Sequence, residues 1–125
     1  LVRQRLHVRA ADVHVCELGF AGANKLPFVR RSVWQVESEF AEDRREALID
    51  FSKLVAGAAP FKLFVGPVVS PGEYEQYLDT LSAPARECSG EVYLALLPHP
   101  RKWKPNDETA VQVFRFDGSG WKGAE

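Results

Sequence analysis

Alternating apolar and polar positions define the β-strands that we predict for this chain. Ser32–Phe40 (SVWQVESEF) is rich in β-forming residues, and Ala110–Phe116 (AVQVFRF) alternates cleanly. Glu91–Leu97 (EVYLALL) is an apolar strand, which we predict to lie centrally in the sheet. The other predicted strands are Leu1–Arg9, Asp12–Phe20 and Phe61–Val65.

Two segments change from the strand period to the helix period. Apolar residues recur at spacings of three and four across roughly Glu42–Ala56, which predicts an amphipathic helix that ends near Gly57. A second helix is predicted to run to about Ser82, with Ser70 as its N-cap and Pro71 in its first turn.

Glycine, proline and polar residues mark the predicted loops, namely Ala21–Arg31, His99–Glu108 and the tail from Asp117, which we expect to be turn-like or frayed. The resulting order of elements is β-β-β-α-β-α-β-β. A helix between two strands indicates parallel pairing, whereas early strands joined by short loops should pair antiparallel. We therefore predict one α/β (α+β) domain over residues 1–125, in which helices pack on a mixed β-sheet.

Composition limits the partners that this domain can have. Hydrophobic residues make up 46% and charged residues 26%, as in ordinary globular proteins. Lys and Arg total 16 against 17 Asp and Glu, so any binding of nucleic acid would depend on a local basic patch.

Because the sequence has no apolar run of about 18 residues, we expect no membrane span. Cys16 and Cys88 have no ligand-spaced partners, so we expect reduced thiols in a cytoplasmic protein. The chain begins at Leu1 rather than Met, and we expect further elements upstream.

The strand Ser32–Phe40 carries a pair of carboxylates. With a period of two, Gln35, Glu37 and Glu39 fall on one face. The two glutamates lie roughly 7 Å apart along the strand, so their side chains can converge on one cation. Like charges this close raise a pKa unless a cation intervenes, and Mg²⁺ prefers oxygen ligands. The alternative is that both glutamates are simply solvated at an exposed strand end.

The succession of these segments resembles the PD-(D/E)XK nuclease superfamily. The matching residues are Asp12 in RAADVHV, the run VWQVESEF, the helix REALIDFSKLV and the strand FKLFVG. The similarity covers about Ala10–Gly66, roughly half the chain. It implies a restriction-endonuclease-like core with Asp12, Glu37 and Glu39 as acidic metal ligands and Mg²⁺ or Mn²⁺ as the cofactor. Glu39 occupies the position of the motif lysine, which weakens the inference of activity more than that of fold.

Because Glu39 cannot supply the positive charge of that lysine, another cation is needed. Lys53 lies in the helix where related sequences often show a lysine, but a helical wheel places Arg44 nearer the apolar stripe and favours it slightly. Both could equally be solvated surface charges. Gln35 is a candidate auxiliary ligand or phosphate contact, with an ordinary strand polar residue as the alternative. Glu17 is an alternative to Asp12.

The loop PHPRKWKP places basic residues around an aromatic one. Such a pattern can hold phosphates and stack a base, and its alternative is a charged hairpin loop with a locally packed Trp. The candidate nucleic-acid contacts are Arg101, Lys102, Trp103 and Lys104. We therefore predict a Mg²⁺-dependent endonuclease that acts on DNA. A non-catalytic nuclease-like module for binding or assembly is the alternative. A third is a protein–protein adaptor, which would expose an apolar patch around Trp103 or around Tyr74 and Tyr77. The sequence leaves the oligomeric state open, a homodimer included.

Overall fold

The computed structural model describes residues 13–106 and 110–124, which form a mixed α+β structure with a six-stranded mixed β-sheet and two α-helices. The strands lie across the sheet in chain order: β1 (Val13–Ala21), β2 (Leu26–Ser38), β3 (Phe61–Pro67), β4 (Glu91–Leu97), β5 (Gln112–Phe116) and β6 (Trp121–Gly123). The helices are α1 (Arg44–Val55) and α2 (Tyr74–Glu87), and a short 3-10 helix, Pro100–Lys102, follows β4. The predicted strand Leu1–Arg9 and the candidate ligand Asp12 lie outside the described residues.

The strand pairing follows the predicted connections. β2, β3 and β4 are parallel, and each successive pair is joined through a helix; β1, β5 and β6 pair antiparallel with their neighbours. Because both crossovers advance across the sheet in the same direction, right-handed connections place α1 and α2 on the same face. Phe51 of α1 stacks on Phe64 of β3 with ring centroids 5.1 Å apart, and Tyr77 and Leu81 of α2 join the same buried cluster. The core therefore lies between the two helices and this face.

Helix α1 begins close to its predicted start, whereas α2 does not. The Asp43 carboxylate caps α1 by accepting a hydrogen bond from the Arg45 N–H at 2.9 Å. Ser70 was predicted to cap α2, but its carbonyl accepts from the Glu73 N–H at 2.9 Å in a turn, and α2 starts at Tyr74. Ser and Pro are common both at helix starts and in turns, so the sequence does not distinguish the two. Here Ser70 and Pro71 form a turn.

The predicted loop Ala21–Arg31 is wrong, because most of it is strand. Only residues 22–25 form the turn between β1 and β2, and Gly22 adopts a positive φ of 71° there. Pro27 pairs with Phe20 of β1, while the pairing of β2 with β3 begins only at Trp34. Among the described residues, β2 is therefore an edge strand at Pro27, with a partner on one side. Edge strands accept proline because its missing N–H leaves no ladder partner unpaired on the open side.

The tail from Asp117 was predicted to be turn-like or frayed; it begins with a turn, but Trp121–Gly123 form strand β6, which extends the sheet. The Asp117 carboxylate accepts hydrogen bonds from the N–H groups of Ser119 and Gly120, both at 2.9 Å, and closes a tight turn. These bonds lower the pKa of Asp117 to about 2. Trp121 then donates its indole N–H to the Leu78 carbonyl of α2 at 3.1 Å. The last strand is thus anchored to the helix layer.

Candidate functional site

Glu37 lies on the helix-facing side of β2, near the carboxyl end of the strand. It pairs in register with Phe64 of β3 and is 1% exposed. Gln35, two residues earlier, is also buried, whereas the intervening Val36 is only half-buried. The predicted alternation of this strand is therefore confirmed, and it directs a carboxylate into the layer between sheet and helices. A buried carboxylate needs a compensating partner.

Lys53 of α1 provides that compensation. Its Nζ lies 3.5 Å from Oε2 of Glu37 and 2.8 Å from Oδ1 of Asp50, one turn earlier on the helix. The three side chains are largely shielded, with exposed fractions of 13% for Lys53, 0% for Glu37 and 16% for Asp50. The lysine ammonium thus contacts two carboxylates that come from two different elements.

The helical wheel placed these two basic side chains wrongly. Lys53, expected nearly opposite the apolar stripe, reaches Glu37, whereas the exposed Arg44 donates to Oε1 of Gln76 at 3.2 Å. A wheel represents each residue by its angle at the helix axis, but a four-carbon stem can carry an ammonium around the helix flank to a buried partner. The structure therefore brings Lys53, and not Arg44, to Glu37.

Glu39 comes directly after β2, and its carboxyl group lies close to that of Asp50. Burial raises the pKa of Glu39, and the carboxylates of Asp50 and Glu46 raise it further. The Ala41 N–H, which donates to Oε1 of Glu39 at 2.8 Å, acts in the opposite direction. Glu37, Glu39, Asp50 and Lys53 therefore form one group, which we call the acidic cluster. Its member Asp50 was missed by sequence reasoning, although its spacing of three residues from Lys53 is a recognisable helix pair.

Tyr77 of α2 brings a second polar group close to the acidic cluster. Its hydroxyl is buried and has no hydrogen-bond partner among the residues that the structure describes. Burial, with a further contribution from the charge of Glu39, raises the pKa of Tyr77 to about 12. The ring reaches this position because Gly66 has no side chain, since a Cβ there would collide with the Tyr77 hydroxyl. Sequence reasoning could not single out this residue as a polar member of the site, because it follows the helical apolar pattern.

Two further candidate residues make contacts of their own. Oε1 of Gln35 accepts from the Ala59 N–H at 3.2 Å, which ties β2 to the segment before β3. Its predicted role as a metal or phosphate contact stays a prediction. Glu17, the alternative to Asp12, lies 3.0 Å from Arg31 and 3.2 Å from Arg30. The hydrogen bond and charge of Arg31, followed by those of Arg30, lower the pKa of Glu17.

Carboxylates of the acidic cluster have the oxygen donors that Mg²⁺ prefers. Across residues 13–106 and 110–124, however, no group of three or more His, Cys, Asp or Glu side chains could hold a metal ion. Lys53 contacts two of the carboxylates, Glu37 and Asp50. Within the described residues, the carboxylates of Glu37 and Asp50 are thus both compensated by the ammonium group of Lys53.

The predicted basic loop lies beyond the carboxyl end of β4. Arg101 and Lys102 belong to the short 3-10 helix, and Trp103 and Lys104 follow it; all four are exposed. The Trp103 indole donates its N–H to the Pro98 carbonyl at 2.8 Å, so the loop folds back on the end of the strand. Contact of these residues with nucleic acid stays a prediction.

Large exposed apolar side chains occur mainly elsewhere, on the hairpin of β1 and β2. Its members, between 47% and 63% exposed, are Val13, Val15, Leu18, Phe20, Leu26, Phe28 and Val29. The apolar patch expected for an adaptor was placed near Trp103 or near Tyr74 and Tyr77, but Tyr77 is buried. Leu26, Phe28 and Val29 thus lie at the opposite end of β2 from Glu37, whereas Val13 pairs with Val36 beside it.

Comparison with protein-family models, with curated proteins and with solved structures finds no match to this chain. Within the described residues, neither helix is long and apolar enough to cross a membrane.

Proposed function

We propose that this chain is a divergent nuclease-like domain that hydrolyses phosphodiester bonds of DNA at the acidic cluster. The observation that carries the proposal is the contact between Glu37 of β2 and Lys53 of α1, with Nζ and Oε2 3.5 Å apart. It supplies a carboxylate and a cation at the carboxyl end of parallel strands, where open α/β sheets place their ligands. Lys53 thereby supplies the charge that Glu39 cannot provide in the motif.

The other members of the cluster suit supporting roles in this reaction. Glu39 is more accessible than Glu37, and its raised pKa makes it a better proton acceptor for an attacking water near neutral pH. The proposal assigns the ligand missing from the described carboxylates to Asp12, with Mg²⁺ or Mn²⁺ as the ion. Such an ion, when bound, would supply Lewis-acid stabilisation of the phosphate.

Cleavage of supercoiled plasmid and of single-stranded DNA, with Mg²⁺ or Mn²⁺, tests the proposal. We expect Glu39→Gln and Lys53→Met to lower the rate by about 100-fold or more, in line with losses of a general base or an electrostatic group. Arg44→Met is the matched control on the same helix and should keep the wild-type rate. Circular dichroism of each variant checks that it is folded. Equal cleavage by the wild type and by both cluster variants would assign the activity to a contaminant.

A non-catalytic binding module is a second candidate, because Glu37 is already enclosed and neutralised by Lys53. A buried carboxylate in a formed ion pair supports a structural role for the pair. Titration calorimetry with Mg²⁺ and Mn²⁺ separates the two candidates. Heat of binding that is lost in Glu39→Gln supports the nuclease, whereas the same negligible heat in both proteins supports the module.

A further inference from the structure

A second site lies beyond the carboxyl ends of the three parallel strands. It is a cavity of about 520 Å³, which we call the edge cavity. Phe40 contributes to it from the segment after β2, Pro67 and Val68 from the end of β3, and Pro98 from the segment after β4. Its volume is within the range of about 300–1,000 Å³ that is usual for small-molecule sites. Each of the parallel strands thus contributes a wall.

Hydrogen bonds fix the walls of the edge cavity. The Val68 N–H donates to the Leu97 carbonyl at 3.0 Å, which joins the segment after β3 to the end of β4. Nδ1 of His99 accepts from the Arg101 N–H at 3.1 Å, and the Trp103 indole holds the Pro98 carbonyl at 2.8 Å. A site whose walls are held in place loses less conformational entropy when a ligand binds.

The lining combines aromatic surface with positive charge. The rings of Phe40 and His99 meet edge to face, with centroids 5.8 Å apart. Arg101 and Lys102 line the same cavity and are exposed, while Glu42 supplies the single carboxylate of the lining. Aromatic side chains stack bases without regard to sequence, and Arg and Lys hold phosphates. Apolar walls with two cations complement a planar base that carries a phosphate.

We propose that the edge cavity binds one unpaired nucleotide of a DNA strand, with its base against Phe40 and His99 and its phosphate held by Arg101 and Lys102. A paired base is stacked inside a duplex and cannot enter a concave site unless it is extruded. The inference rests on the proposed function for its choice of DNA. It adds that the preferred substrate has a single-stranded segment next to the acidic cluster.

Fluorescence anisotropy with a labelled oligodeoxythymidine, measured in EDTA, tests this site without cleavage. We expect Arg101→Ala with Lys102→Ala to weaken binding about tenfold, whereas Lys25→Ala, in the exposed turn between β1 and β2 and outside the cavity lining, should change it less than twofold. Phe40→Leu keeps an apolar wall but removes the stacking surface, and we expect a loss of roughly 5- to 150-fold. An abasic strand of the same length should bind Phe40→Leu and the wild type equally.

Three results would overturn the inference: a blunt duplex that binds as tightly as the single strand, an equal loss with Lys25→Ala, or unchanged affinity in Phe40→Leu. Failure of the edge cavity is distinguishable from failure of the nuclease proposal. If the protein binds the strand through the edge cavity but does not cleave it, only the proposed hydrolysis is refuted. Cleavage that depends on Lys53 but not on Phe40 or on Arg101 and Lys102 would refute only the cavity.

Discussion

At the scale of single residues, Lys62 is a charged group inside the core. It lies on the helix-facing side of β3 with no exposed surface, and its Nζ donates to the carbonyl oxygen of Ser89 at 2.6 Å and to Oγ of Ser89 at 2.9 Å. Burial lowers the pKa of Lys62 below its usual 10.5, and the neighbouring Cys88 only partly opposes this. The charged form is therefore disfavoured in the folded state relative to the unfolded state.

This shift predicts how stability depends on pH. Between the lowered pKa and 10.5 the unfolded state binds more protons than the folded state, so the free energy of unfolding should rise with pH towards 10.5. Burial raises the pKa of Cys88 to about 11, which has the opposite effect above pH 9, so the comparison is made in a Cys88→Ala background. Lys62→Met should abolish the rise in urea unfolding measured from pH 7 to 10.5. The exposed control Lys104→Met should keep it, and a rise that persists in Lys62→Met would contradict the prediction.

Tyr77 gives a second prediction at this scale. A buried hydroxyl without a partner costs stability, and the Tyr77 hydroxyl has none among the described residues. Tyr77→Phe keeps the ring in the core and removes the unpaired group, so the free energy of unfolding should rise by about 1 kcal/mol. Urea unfolding of both proteins measures it, with Tyr74→Phe, on the same helix and less buried, as the control. A loss of stability in Tyr77→Phe would show that the hydroxyl has a bonding partner in solution.

At the scale of elements, sequence periodicity predicted the segments whose apolar residues pack in the core. It failed for segments that do not pack there. The apolar run Glu91–Leu97 became β4 with the predicted bounds, because its alternate residues Val92, Leu94 and Leu96 are buried in the core beneath the helices. The segment at Pro27 was predicted as a loop, because the sequence does not show that β2 has a partner on only one side there. In the site, strand alternation placed Glu37 correctly, whereas the contact with Lys53 depends on how α1 packs, which a helical wheel does not contain.

The contact between β2 and α1 should be measurable as a coupling energy. We expect Glu37→Gln and Lys53→Met each to destabilise the protein, since each removes one charge of a shielded ion pair. The double variant should be more stable than the sum of the two losses predicts, with a coupling of about 1–3 kcal/mol. A double-mutant cycle by urea unfolding at pH 7 gives this value. Arg44→Met paired with Glu37→Gln is the control cycle, and a coupling there as large as with Lys53 would refute the specific contact.

At the scale of the whole molecule, the arrangement of charge matters more than its total. The net charge of −1 provides no general attraction for DNA, and the basic residues that line the edge cavity are confined to one loop. A second basic pair, Arg30 and Arg31, lies on the β1–β2 hairpin, but Glu17 lies within 3.2 Å of both. Binding of a DNA strand should therefore involve few phosphates, and its preference for unpaired bases should come from the aromatic walls of the edge cavity.

The dependence of this binding on salt tests that distribution of charge. For single strands the logarithm of affinity falls with the logarithm of salt concentration by about 0.7 per neutralised phosphate, so contacts through Arg101 and Lys102 predict a slope of about −1.4. Anisotropy titrations of oligodeoxythymidine at a series of salt concentrations give the slope. Arg101→Ala with Lys102→Ala should bring it close to zero, whereas Arg30→Ala with Arg31→Ala should leave it unchanged, because those side chains are already paired with Glu17. A slope near −3 that falls when the hairpin pair is removed would show that the strand follows the sheet edge instead, and that the hairpin takes part in binding.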